Sequence, residues 1–197
     1  VNQLFSFSFR QTYATPPIVV ALPTKDGPNA SALRINNVST AGFQLAQVEP
    51  FSEDGPHTSM TVRYVAVERG SHQLPDGTRI EAGLLSSKRA SGNEDFVQFN
   101  GKGSTLWGNH AFSTNFADQP VVLGAIQTLN NETNQVPDVT SNPWLTTVFD
   151  SITASGFRYA PERSEVYDRR AGNSSNYFFD GLSFAQSIGY VAFSATA

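Results

Sequence analysis

The chain of 197 residues carries a formal net charge of -4, few charged residues and no cysteine. Disulfides and cysteine-based zinc sites are therefore excluded, and the lack of Lys and Arg clusters disfavours nucleic acid and anionic membranes as partners. No apolar run approaches the roughly 18 residues that span a bilayer. The many Gly, Pro and Phe residues, without helix-forming runs, predict an all-β fold of antiparallel strands.

Alternating apolar and polar residues mark the strands of the first half. In the run from Leu4 to Phe9 every second residue is phenylalanine, which is the pattern of a strand with one buried face. The predicted strands lie near residues 4–13, 17–23, 32–38, 42–49, 59–68 and 78–84. Because the chain starts inside such a run, we expect a piece of a longer protein. Lack of cysteine does not itself name a compartment. It fits secreted bacterial proteins, and we expect a secreted or cell-surface location.

Three blocks of the first half recur in the same order in the second. The segment 9–22 realigns on 112–125, Val38 to Phe43 on 152–157, and Tyr64 to Val67 on 190–193, with offsets that grow because loops lengthen. The sequence therefore predicts two tandem copies, residues 1–85 and 96–197, joined by a polar linker at 86–95. Strands of the second copy are predicted near 96–99, 109–117, 120–127, 145–150, 156–162 and 183–194.

The long loops of both copies are predicted to share one end. If consecutive strands run antiparallel, the loops 24–32 and 50–59 leave at one end, and the longer loops 128–144 and 163–182 leave at the corresponding end. A rigid β scaffold that presents irregular loops is typical of binding proteins.

These loops are rich in residues that bind sugars. Sugar C–H faces pack on aromatic rings, while hydroxyl groups pair with carboxylates, amides and guanidinium groups. The candidate carbohydrate-binding residues are Trp144, Tyr167, Asp168, Arg169, Arg170, Asp54, His57 and Asp26, together with Arg34 of the Leu-Arg-Ile block. The competing interpretations are that Trp144 closes the end of the fold, and that the arginine pair and the Asp54–His57 turn are merely solvated.

The ordered blocks resemble the H-type lectin domain of bacterial surface and polysaccharide-active proteins. They are an aromatic residue followed by Ala-x-x-Pro at Tyr13, the Leu-Arg-Ile block at Leu33, the Val-Ser-Thr-Ala-Gly-Phe block at Val38, and Tyr-Val-Ala-Val at Tyr64. The second copy lacks the Leu-Arg-Ile block. The resemblance implies a six-stranded antiparallel β-sandwich in each copy. It also implies binding of N-acetylgalactosamine or a related sugar, and a site completed by a neighbouring unit, either in a homotrimer or within the chain.

Two other functions stay open on the sequence. A polysaccharide lyase or glycosidase would use carboxylates such as Glu162, Glu165 and Asp168, with Tyr167 and Arg170, but no catalytic motif fixes their geometry, so no catalytic residue is assigned. A structural domain of an adhesin or phage fibre is the other alternative. No cofactor or metal site is predicted, and calcium is an alternative without the regular acid spacing that would support it.

Overall fold

The computed structural model describes residues 4–23, 32–48, 60–88, 107–131, 145–163, 182 and 184–194. Within these ranges the chain forms strands and no helix, and every strand pairing is antiparallel, which confirms the all-β antiparallel prediction. The described part contains no helix long and apolar enough to cross a membrane. The predicted strand 96–99 lies outside the described residues.

The strands, in chain order, are β1 Leu4–Ser8, β2 Ile18–Pro23, β3 Ala32–Asn36, β4 Gly42–Val48, β5 Val62–Val67, β6 Gly70–Gln73, β7 Arg79–Ser87, β8 Gly108–Ala111, β9 Val121–Ile126, β10 Leu145–Thr153, β11 Gly156–Arg163 and β12 Gln186–Phe193. They form four sheets with the orders β1-β4-β3, β2-β5, β6-β7-β12-β9 and β10-β11-β8. We call β1 to β5 the first half and β8 to β12 the second half.

Each half packs one sheet on another. The first-half cluster joins β2 to β3 and β4 through Val19, Ala21, Ile35, Phe43 and Leu45. The larger second-half cluster joins β7, β9 and β12 to β10 and β11, and its buried members are Leu85, Phe112, Phe116, Ile126, Leu145, Phe157, Leu182, Ile188, Tyr190 and Ala192. Aromatic rings contribute much of this apolar contact, with Phe112 and Phe116 edge to face at 4.8 Å between centroids.

A third cluster joins the two halves. Ile18 and Val20 of β2 pack against Ala82 of β7 and Val191 of β12, with Leu123 of β9 at the margin. Side chains of a strand alternate between its two faces. The side chains of Val19 and Ala21 therefore pack in the first-half cluster, and Ile18 and Val20 pack in the central cluster. Strand β2 is thus an inner layer, whereas the residues of β5 are exposed or half-buried, and burial on both faces explains why residues 18 to 21 of β2 are all apolar instead of alternating.

The two halves pair their strands in the same register. Phe7 faces Phe43 as His110 faces Phe157, which places β1-β4 on β8-β11 residue for residue. Ala21 faces Tyr64 as Gly124 faces Tyr190, so the pair β2-β5 has the same register as the pair β9-β12. Asn36 faces Gln44 as Asp150 faces Arg158 in β3-β4 and β10-β11.

The turns before β4 and β11 are also equivalent. Asn37 and Ser151 both adopt a left-handed conformation, with φ of 48° and 50°. Gly42 and Gly156 each lie so close to a neighbouring carbonyl that a Cβ would approach the oxygen of Phe7 or His110 to 2.1 or 2.2 Å. Only glycine fits at such an approach. This accounts for the two glycines in the repeated sequence blocks.

Strand β7 departs from the predicted division of the chain. It pairs with β12 along eight residues, from Ile80 opposite Phe193 to Ser87 opposite Gln186. The boundary predicted between residues 85 and 86 falls inside this strand. The first predicted unit therefore supplies a strand to the sheet of the second, and the two units share that sheet.

Several strand ends also differ from the prediction, among them that of β8, which was predicted near 109–117 and ends at Ala111. The first strand ends at Ser8, and the segment up to Tyr13 instead bonds across the turn before β4, with the Tyr13 N–H donating to the Thr40 carbonyl at 2.9 Å. The last strand begins at Gln186 instead of residue 183. The four-residue strand β6 was not predicted, because Gly-Ser-His-Gln carries no apolar alternation.

The inner layer predicts a sharp contrast between two residues of β2. Ile18 is fully buried between the halves, whereas Leu22 on the same strand is 62% exposed. We expect Ile18→Ala to lower the free energy of unfolding by about 2–5 kcal/mol and Leu22→Ala to change it by less than about 0.5 kcal/mol. Equilibrium urea unfolding measures both. Equal effects of the two substitutions would contradict the inner position of β2.

Candidate functional site at the end of the second half

Most of the predicted sugar-binding residues lie outside the part of the chain that the structure describes. These are Asp26, Asp54, His57, Trp144, Tyr167, Asp168, Arg169 and Arg170. Arg34 is described, and it is buried, with 2% of its surface exposed. Its guanidinium donates hydrogen bonds to the carbonyls of Leu33 and Leu145. Arg34 therefore connects β3 to the start of β10 in the interior, where it does not line an open surface.

The strand ends that flank the long loops of the second half meet at one end. Ile126 at the end of β9 faces Ile188, and Gln186 at the start of β12 faces Ser87. The N–H of Leu182 donates to the Lys88 carbonyl at 2.7 Å. Leu145, which follows Trp144 in the sequence, packs in the same cluster as Ile126 and Leu182. The strand ends that border the long loops of the second half thus lie at one end, as predicted from the antiparallel order of the strands.

An exposed aromatic ring lies at this end. Phe184 is 62% exposed, although a large apolar side chain in water gains nothing from exposure. Its backbone is fixed on both sides by one amide: the Phe184 N–H donates to Asn131 Oδ1 at 2.8 Å, and Asn131 Nδ2 donates to the Phe184 carbonyl at 2.6 Å. Asn130 Nδ2 donates to the next carbonyl, that of Ala185, at 2.6 Å. The ring is thus presented from an ordered backbone.

Polar side chains also hold the residues that follow Phe184. Thr128 donates its hydroxyl hydrogen to Gln186 Oε1 and accepts the N–H of Ser187 at 3.0 Å. Gln186 is fully buried, and within the described residues its Nε2 has no hydrogen-bond partner. An unsatisfied buried donor is costly, so a group that accepts from it would be favoured there. We call Thr128, Asn130, Asn131, Phe184 and Gln186 the Phe184 surface.

The Phe184 surface is anchored to the first half. Gln127, the residue before it on the chain, is buried, and its Nε2 donates to the Val19 carbonyl of β2 at 2.7 Å. Gly189 makes room for this side chain, because a Cβ there would lie 2.2 Å from Gln127 Nε2. The scaffold of the candidate site is therefore continuous with the inner layer.

A second polar constellation lies in the same half, toward the opposite end. The carboxylate of Glu81 is 4% exposed and accepts hydrogen bonds from the N–H and hydroxyl of Ser113, the latter at 2.6 Å, and from Arg79 at 3.0 Å. Tyr190 donates to Glu81 at 3.1 Å, and its oxygen lies 2.7 Å from Nε2 of His110. We call these five residues the Glu81 network.

The pKa values of the network follow from burial and its hydrogen bonds. Burial acts to raise the pKa of Glu81, but the bonds from Ser113 and Tyr190 and the charge of Arg79 outweigh it, so that the pKa lies below its usual value. Burial lowers the pKa of His110 more than Glu81 raises it. Burial and the Glu81 charge raise the pKa of Tyr190. A buried tyrosine with a raised pKa is a poor general base at neutral pH, so the network fits a structural role.

The sequence patterns predict neither the Phe184 surface nor the Glu81 network. Phe184 falls in a predicted strand, where alternate apolar residues are expected to be buried, and the irregular start of β12 removes it from that pattern. The signal for Glu81 is an acid inside an otherwise apolar strand, Ile80 to Leu85, but its partners come from distant segments. No group of three or more His, Asp or Glu residues that would hold a metal occurs in the described ranges.

Trp107 packs against a side chain of β11. The guanidinium of Arg158 lies over its ring, 5.0 Å from the centroid, and also pairs with the carboxylate of Asp150. That hydrogen-bonded pairing lowers the pKa of Asp150. The ring is thus engaged in packing on the β8-β11-β10 sheet.

Comparisons with known proteins found no relative from which a function could be transferred. No protein-family model, no curated protein and no solved structure matches the chain. Function is therefore inferred from the residues of the chain itself.

The Glu81 network predicts an acid-sensitive fold. The unfolded carboxyl titrates near 4.5 and the folded one lower, so the stability that Glu81 confers is present above 4.5 and is lost as the pH falls through the folded value. His110 adds to the loss in the same direction, because the unfolded imidazole takes up a proton near 6.5 before the folded one does. The free energy of unfolding should therefore decrease on acidification from about pH 6.5 downward.

The substitution Glu81→Gln tests this origin. We expect it to cost about 1–3 kcal/mol at neutral pH, since it weakens the hydrogen bonds of a buried acceptor. Below the pH at which Glu81 titrates, the difference from the parent should shrink. Urea unfolding between pH 3 and pH 8 measures the curve. If the free energy of unfolding of the parent does not change with pH in this range, the role assigned to Glu81 is wrong. The Tyr190→Phe variant should lose less stability at neutral pH than Glu81→Gln, because it removes one of the hydrogen bonds to the carboxylate.

Proposed function

We propose that the chain is a non-catalytic carbohydrate-binding domain of a secreted or cell-surface protein, and that it binds a glycan at the Phe184 surface. The observation that carries the proposal is the exposed ring of Phe184 on a backbone held by both polar atoms of Asn131. Glycans bind where an aromatic face lies beside groups that donate and accept hydrogen bonds. Asn130 is exposed and Thr128 half-buried, and they bond to Ala185 and Gln186, so an amide and a hydroxyl lie on the segment next to this ring.

The proposed site includes the loops that the sequence analysis selected. Residues 132–144 and 164–181 connect strands whose described ends border the Phe184 surface. Trp144, Tyr167, Asp168, Arg169 and Arg170 are proposed to complete the site. The first half would contribute Asp26, Asp54 and His57 from its own loops, as a second and weaker site.

We further propose that the fold is a duplicated, H-type-lectin-like β-sandwich. The shared registers of the two halves support a duplication, and the packing of β1-β4-β3 on β2-β5 supports a sandwich in the first half. By this resemblance, the ligand is a galactose-type sugar such as N-acetylgalactosamine. The central cluster supports pairing of the two copies within one chain instead of the trimer that the resemblance implies.

A catalytic function is less well supported. The closest approach to an acid–base constellation among the described residues is the Glu81 network, and there Glu81 and Tyr190 are buried and bonded to each other. Glu162, one of the carboxylates considered for a lyase or glycosidase, accepts a bond from Thr146 at 3.4 Å on an exposed surface. Neither arrangement offers paired carboxylates facing a cleft.

Binding of glycans tests the proposal directly. The parent chain should bind a subset of galactose-type or algal oligosaccharides on a glycan array, and Phe184→Ala should weaken binding about 3- to 10-fold, the equivalent of roughly 1 kcal/mol of ring contact. The matched control is Phe5→Ala, which removes an exposed phenyl ring from β1 and should leave the affinity unchanged. Isothermal titration with an array hit measures both.

Other results would favour the other functions. Release of product from a polysaccharide by the parent chain would indicate a lyase or glycosidase. A blank array, together with a folded and stable chain, would favour a structural domain of an adhesin or phage fibre. Equal losses in Phe184→Ala and Phe5→Ala would remove the Phe184 surface as the binding site.

A further inference from the structure

The sheets of the two halves differ at one edge. Strand β12 pairs with β9 on one side and with β7 on the other. Strand β5 occupies the equivalent place in the first half and pairs with β2 in the same register as β12 pairs with β9. On its other side, no strand of the described residues pairs with it. The position that β7 fills beside β12 thus has no described counterpart beside β5.

The backbone groups of β5 that face this edge can be identified. Antiparallel partners alternate between pairs that exchange two hydrogen bonds and pairs that exchange none. Pro23 faces Val62 and has no N–H, so this pair exchanges no hydrogen bonds. The same holds for the pairs that contain Tyr64 and Ala66, which lie two and four residues further along β5. The N–H and carbonyl groups of Tyr64 and Ala66 therefore point away from β2.

A side chain already bonds to this edge. The hydroxyl of Tyr13 donates to the carbonyl of Ala66 at 3.2 Å, as expected if that carbonyl faces outward. In the second half the equivalent of Tyr13 is Phe116, which has no hydroxyl, and the equivalent of Ala66 is Ala192, which faces Glu81 of β7. The tyrosine hydroxyl thus occupies in part the place of the missing strand.

The equivalent tyrosines show what the strand would cover. Tyr190 is 4% exposed, while Tyr64 is 39% exposed. Opposite Tyr190, β7 carries Gly83, where a Cβ would lie 2.6 Å from the tyrosine ring. A strand that covered Tyr64 in the same way would need glycine at the same position.

Charge complementarity points to the same kind of strand. Glu81 of β7 is bonded by the backbone and hydroxyl of Ser113. The residue equivalent to Ser113 in the first half is Arg10, which is exposed beside the segment that follows β1. An acid opposite Ala66 would therefore meet a cation. Strand β5 itself has few of the usual protections of an edge, since Val-Arg-Tyr-Val-Ala-Val contains no proline and Arg63 is its one charged residue.

We propose that the outer edge of β5 binds a β-hairpin of the same type as β6–β7, supplied by a further unit of this fold. Its second strand would run antiparallel to β5, with glycine opposite Tyr64 and glutamate opposite Ala66 near Arg10. Each unit would then complete the sheet of the next, as β7 completes the sheet of the second half. Units of this kind would assemble head to tail.

A fusion tests the proposal in the full chain. An extra copy of residues 68–107, which contain β6, β7 and the segment that leads to β8, is joined to the N-terminus at Val1. A tethered hairpin has a high effective concentration at the edge, so the ordering cost of a free peptide is avoided. Amide hydrogen exchange of Tyr64 and Ala66 should slow by tenfold or more relative to the unfused chain, while exchange of Tyr190 and Ala192 should stay unchanged.

The matched control is the same fusion with Gly83→Val in the added copy only. It has the same length and charge, and its side chain would collide with the ring of Tyr64, so Tyr64 and Ala66 should exchange as in the unfused chain. Arg10→Ala in the first fusion should reduce the protection several-fold, and more so at low salt.

Three results would overturn the proposal. One is unchanged exchange of Tyr64 and Ala66 in the first fusion. Another is equal protection by the first fusion and by the Gly83→Val control, which would mean that the added hairpin does not adopt the register of β7. The third is concentration-dependent protection of these amides in the unfused chain, which would show that a second copy covers the edge with another segment, since the β6–β7 hairpin of each chain is already paired with its own β12.

Discussion

Strand β2 is buried on both of its faces, and the rest of the structure depends on that constraint. Val19 and Ala21 close the core of the first half, and Ile18 and Val20 close the cluster between the halves. A strand in this position has no polar face, so every residue from 18 to 21 is apolar. Strand β7, which follows the first half in the chain, pairs with β12, and β2 packs against both of these strands. The two halves are therefore joined by apolar contact and by backbone hydrogen bonds.

This arrangement places polar groups where the layers end. The Glu81 network forms where β7 passes beneath the turn after β8, and Ser113 and Tyr190 supply the hydrogen bonds that allow a carboxylate to be buried there. At the other end, Gln127 uses its side chain to reach the carbonyl of Val19, and the following residues fix the backbone of Phe184. Asn130 and Asn131 bond to the backbone of Phe184 and Ala185, and the ring of Phe184 itself is exposed next to these amides.

Much of the fold could be predicted because it rests on local patterns. The repeated blocks contain Gly42 and Gly156, whose close approach to a carbonyl excludes any side chain, and Pro17 and Pro120, which are both buried before equivalent strands. The path of β7 could not be predicted, because pairing with β12 instead of β5 depends on contacts more than 100 residues apart.

Of the predicted sugar-binding residues, Arg34 alone is described. It is interior, because a guanidinium satisfied by carbonyls can be buried as readily as a core residue. Phe184 was missed since exposure of an aromatic residue is decided by where a strand begins, which composition does not show.

The most direct test of this account is native-state hydrogen exchange of the parent chain, read residue by residue in β2, β7 and β12. If the central cluster and the β7–β12 pairing join the halves into one cooperative unit, the slowest amides of these three strands should exchange with the same free energy of opening, equal to that of global unfolding. If β2 instead exchanges through an opening that leaves β12 protected, the two halves unfold as separate units and the central cluster does not join them.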